Sequence, residues 1–81
     1  MGVTEDLADQ LAQDAIKALE LTGDENLIDD IAKLLGATSQ TAEEAFMTAV
    51  RVRRANARAR EMLIAKVRAF KDARETPPAQ E

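Results

Sequence analysis

The side chains that could do chemistry in this chain of 81 residues are nearly all charged: 15 acids and 11 bases, with no Cys and no His. Without thiolate or imidazole there is no ordinary zinc or transition-metal site, no cysteine nucleophile and no imidazole base. Ser39 is the only serine, and no histidine exists to activate it. The three glycines are isolated, so no phosphate-cradling loop can form. The acids Asp24, Glu25, Asp29 and Asp30 cluster, but GDENLIDD lacks the alternating ligands around a central glycine that a calcium loop requires. The acids fall mostly on outward helix faces, where no pocket would raise a pKa. We therefore expect no enzyme, no cofactor and no metal site.

The most specific charged pattern lies at residues 51–60, RVRRANARAR, with five arginines in ten positions. Guanidinium groups so dense can neutralise phosphates, and a basic helix can lie in a major groove. Arg51, Arg54 and Arg58 share one side of a helix and are the candidate nucleic-acid contacts, while Arg53 and Arg60 fall near an apolar face. No aromatic is interleaved to stack on bases. Their stems can instead cover apolar surface while their heads reach acids elsewhere. Residues 1–44 carry 11 acids against Lys17 and Lys33, a net of −9. Residues 45–81 carry nine bases against four acids, a net of +5. This asymmetry suits acidic helices docked on a basic one, within a subunit or between two.

The element that must position these residues is a helix of about residues 41–75. It opens on Thr41 with Glu44 three residues on, a capping box, and contains neither Pro nor Gly. At 1.5 Å per residue it spans about 50 Å, too long for the rest of so short a chain to cover. Ahead of it the pattern predicts a helix over 4–22, capped by Thr4 and closed by Gly23, with Leu7, Leu11, Ala15, Ala18 and Leu19 on its apolar stripe. A second helix over 24–35 is expected from the Asp24 cap to Gly36, its stripe formed by Leu27, Ile28, Ile31, Leu34 and Leu35. The fold class is all-α: three helices, two short amphipathic ones packed on one long C-terminal helix. Residues 1–75 are expected to form a single domain, and 76–81, TPPAQE, a disordered tail. Helix two should turn back along the first half of helix three, with helix one completing a small core.

Along the long helix the apolar face gathers Ala45, Ala49, Val52, Ala59, Leu63, Val67 and Phe70, with Phe46 and Ile64 at one edge. Asn56 interrupts it near its centre. A lone Asn in a seam between helices can fix register and oligomeric state. The large aliphatics and Phe number 21, Ala 16, and Phe46 and Phe70 are the only aromatics. Such a core is small for a chain near the lower limit of self-sufficiency, and without Cys the available staple is oligomerisation. The expected partner or dimer interface is Phe46, Val52, Asn56, Ala59, Leu63, Val67 and Phe70, serving a homodimer, another protein or both. The N-terminus shows no signal peptide and no apolar run long enough for a bilayer. The expected location is cytoplasmic, with no membrane partner.

From Ile31 to Ala45 the string IAKLLGATSQTAEEA resembles the helix-turn-helix of bacterial repressors. Ile31, Ala32 and Leu35 match the apolar positions of its first helix, Gly36 the turn glycine, and Ala42 and Ala45 the inward positions of its second. The resemblance implies DNA contacts from Thr38, Ser39, Gln40, Thr41, Glu43 and Glu44, although Glu43 and Glu44 would be repelled by phosphate. The alternative function is therefore a small DNA-associated regulator, using about residues 28–46 and the basic segment 51–60. The leading reading is a non-enzymatic helical assembly module with a regulatory or adaptor role.

Overall fold

In the computed structural model, which describes residues 2–75, Gly2 rather than Thr4 begins the first helix. Gly2 is extended, its N–H donates to the Glu5 carboxylate at 3.1 Å, and its carbonyl accepts from the Asp6 N–H at 3.1 Å. Glu5 thus satisfies a donor ahead of Thr4, and the helix α1 runs Val3–Thr22. It ends as expected at Gly23, whose φ of 71° is the left-handed conformation glycine adopts without penalty. The Gly23 N–H donates back to the Leu19 carbonyl at 2.8 Å.

Asp24 turns the chain instead of capping a helix at once. Its carboxylate accepts from the Asn26 N–H at 3.0 Å and its carbonyl from the Leu27 N–H at 3.1 Å, an Asx turn. Helix α2 therefore starts later than expected, at Leu27–Gly36. The cap of the last helix also shifts. Ser39 Oγ accepts from the Ala42 N–H at 3.1 Å, the N-cap bond that Thr41 was expected to provide. Glu44, the second half of the Thr41 capping box, instead accepts from the Gln40 amide at 3.3 Å. Helix α3 then runs unbroken over Gln40–Glu75, 36 residues. The tail expected to be disordered, 76–81, lies outside the described residues.

The three helices run up, down and up, so α1 and α3 are parallel neighbours. Ala8 and Leu11 lie beside Ala42 and Phe46, Asp9 reaches Arg53, and Ile16 and Leu19 lie beside Arg54 and Ala57. The most extensive packing is α1 on α3, with α2 contributing less than the sequence suggests. Every buried position of α1 is an alanine (Ala8, Ala12 and Ala15), which lets the two helices approach closely around Phe46 and Val50. Ile28 and Ala32 of α2 close the core, with Leu11, Leu19, Ile31 and Leu35 partly buried against it. Leu7 and Leu34, both expected inside, are exposed.

Phe46 requires a correction. It is the largest fully buried side chain of the described residues, at 0% exposure, and cannot also serve a partner. The core direction of α3 is defined by Phe46 and Val50, roughly 100° around the helix from the stripe read in the sequence. The stripe exists, but it is not what folds the monomer.

Candidate partner-binding surface

Helix α3 carries two apolar faces with different fates. The face of Phe46 and Val50 is consumed by the core. The other runs through Ala45, Ala49, Val52, Asn56, Ala59, Leu63, Val67 and Phe70, at intervals of four, three, four, three, four, four and three residues. Such spacing keeps one stripe on one side of a helix and is that of a coiled-coil seam with one four-residue insertion. Ala45 and Ala49 are half-buried by α1, and from Val52 onward every seam position is exposed.

α1 ends beside Arg58, so residues 58–75 extend about 27 Å past the bundle. Here Leu63, Ile64, Val67 and Phe70 are between 47% and 62% exposed. The described residues cover the proximal seam only on one flank and the distal seam not at all. Leaving a Leu, Val or Phe in water forgoes about 1.5–3 kcal/mol each relative to burial. An apolar stripe of this length, uncovered by the described residues, is the candidate contact surface of the chain.

The seam positions anticipated from the sequence are thus placed together, apart from Phe46. Asn56 is exposed and lines a shallow recess of about 150 Å³ with Ala59, Arg60 and Leu63. Beside the proximal seam, α1 and α3 enclose a larger groove of about 510 Å³. Ala45, Ala49, Val52, Thr41 and Thr48 line it, with Glu5 and Asp9 on the α1 wall and Glu44 on the α3 wall.

Sequence spacing did not find this acidic groove. Its two walls lie about 40 residues apart in the chain, and only the parallel register of α1 and α3 joins them.

The arginines divide differently from the expected pattern. Among the described residues Arg53 alone reaches an acid of α1, as a two-pronged pair: Nε donates to Asp9 Oδ1 and Nη2 to Asp9 Oδ2, each at 2.7 Å. Nη2 also lies 3.5 Å from Gln13 Oε1. The hydrogen bonds from Arg53, with its charge, hold the Asp9 carboxyl below its ordinary value, and Asp9 raises the guanidinium in return. Arg51, Arg54 and Arg58 are exposed and form no salt bridge among the described residues. Near the tip, the Arg74 guanidinium sits 5.5 Å from the centre of the Phe70 ring.

At the other end of the bundle, Leu7, Leu11, Leu35 and Phe46 line an apolar cavity of about 240 Å³ that holds no titratable group. Among the described residues no three acids gather to hold a metal ion, and no helix is long and apolar enough to cross a membrane. Searches of protein-family models, curated proteins and solved structures find no match to this chain.

Proposed function

We propose that this chain is a non-enzymatic helical assembly module that forms a homodimer through the exposed seam of α3. What supports the reading is the run of seam positions from Val52 to Phe70, apolar and uncovered on a helix that outruns its bundle. Burying even three large side chains per copy would offset several kcal/mol of association cost. A regulatory or adaptor role follows from a module whose chemistry is limited to presenting a surface.

The test is sedimentation equilibrium on the wild type and on Leu63→Asp, with and without a generic DNA duplex. The reading predicts a dimer mass for the wild type, a monomer mass for Leu63→Asp with unchanged helicity, and indifference to the duplex. A wild-type monomer at high concentration would refute it.

One observation favours a second reading, a DNA-associated regulator: Arg51, Arg54 and Arg58 are exposed and form no salt bridge among the described residues. Against it stand Glu43 and Glu44 in the first turns of α3, where the helix-turn-helix resemblance would place recognition residues. Co-sedimentation with the duplex that vanishes at raised salt and on Arg51→Glu with Arg54→Glu would establish this reading.

A further inference from the structure

We infer that the two copies pair antiparallel, the distal half of each α3 lying in the acidic groove between α1 and α3 of the other. The inference rests on the homodimer reading and adds its geometry, register and charge match. Three independent features of the chain point the same way.

The first is the arrangement of seam positions, which is nearly symmetric about residues 57 and 58. Turned end for end, Val52 meets Leu63, Asn56 meets Ala59, Ala49 meets Val67 and Ala45 meets Phe70. The second is size. The proximal seam is built of Ala45 and Ala49, the distal one of Leu63, Val67 and Phe70. Antiparallel pairing therefore sets Val67 and Phe70 against Ala49 and Ala45, large against small, and leaves Val52 and Leu63 as the one pair of aliphatics near the crossing. Parallel pairing would set large against large at one end and alanine against alanine at the other. It would also place Asn56 against Asn56, where the antiparallel register gives it an alanine and leaves its amide room to reach water.

The third feature is charge. The distal seam is flanked by Arg60, Lys66, Lys71 and Arg74, and no acid lies on either flank between Val52 and Phe70. In a parallel dimer these bases face their own copies. The groove walls hold Glu5, Asp9 and Glu44, of which Asp9 already shares its charge with Arg53. The antiparallel register brings Lys71 and Arg74 to the level of Thr41 and Glu44, where Glu5 forms the opposite wall of the groove. The acidic excess of one end and the basic excess of the other then complement each other between copies.

The chain contains no cysteine, so single-cysteine variants report contacts without background. Val52→Cys and Leu63→Cys are each oxidised alone and then mixed. The antiparallel dimer yields the mixed 52–63 disulfide and little product from either variant alone, since like positions would lie about 16 Å apart along the axis. Disulfides formed within each single variant would overturn the orientation and leave the dimer standing. No disulfide from a protein that sediments as a dimer would overturn the register. A monomer by sedimentation would overturn the dimer reading beneath both.

Charge reversal gives a check that needs no crosslink. Lys71→Glu with Arg74→Glu should weaken dimerisation several-fold at low salt if the groove is acidic, with helicity preserved. An unchanged dimer constant would overturn the antiparallel placement, since in a parallel dimer the reversal only exchanges facing bases for facing acids.

Discussion

The two halves of α3 are made of similar residues and held by different forces. In residues 40–57 the helix is fixed by tertiary packing. Ser39 caps it, Phe46 and Val50 enter the core, and Arg53 ties it to α1. In residues 58–75 no side chain is buried, and helicity rests on local propensity: Ala59, Leu63, Ala65, Lys66, Arg68 and Ala69 are strong helix formers with no Gly or Pro among them. A segment of 18 residues standing alone is marginal in water. It persists here because the packed half supplies the nucleus that an isolated helix must otherwise form at a cost. A small domain can thus fold on part of an element and leave the rest of it uncovered.

The comparison breaks most severely at Phe46. Phe46→Ala should remove about 3–5 kcal/mol of stability, a large share of what an alanine-rich core can supply, and chemical denaturation should report loss of the whole bundle. Leu63→Asp should do the opposite: circular dichroism unchanged, but a dimer dissociation constant raised about 100-fold, because burying an unpaired carboxylate in the seam is unfavourable. Equal effects of both changes on the monomer would abolish the distinction between the halves.

Ser39→Ala should cost about 1 kcal/mol, seen as a lower melting temperature, since the Ala42 N–H loses its acceptor. Thr41→Ala should cost less, which sharpens the assignment of the cap. The smallest effect belongs to Asp9. Its carboxyl is held below the ordinary value, about 3.9, so its contribution is fully present above that pH and is lost as pH falls through the lower folded value. Asp9→Asn should flatten that acidic segment of the stability profile and leave the neutral region nearly unchanged, because the pair is exposed to solvent.

Much of the fold was legible because its signals are local. The glycine at 23, the polar run at 37–41 and the unbroken helix formers after it mark three helices and their order. Boundaries slipped where several residues could cap. Gly2 with Glu5 displaced Thr4, Asn26 followed an Asx turn at Asp24, and Ser39 outbid Thr41. The buried face of α3 was less legible, because a helix with 12 alanines and valines among its 36 residues offers more than one apolar stripe. Periodicity ranks the longer stripe first, whereas the core selected the shorter one containing Phe46. The Asp9–Arg53 pair and the acidic groove had no local signal, since both depend on how α1 registers against α3.

The proposed dimer would cover the distal half of α3, and so hold closed a helix that the packed half only nucleates. Amide hydrogen exchange measured along α3 at low and high protein concentration tests it most directly. The account predicts proximal amides near Phe46 and Val50 protected at both concentrations, and distal amides around Leu63 to Phe70 gaining protection as the dimer forms. Distal protection that stays low and unchanged at concentrations well above any plausible dimer constant would contradict it.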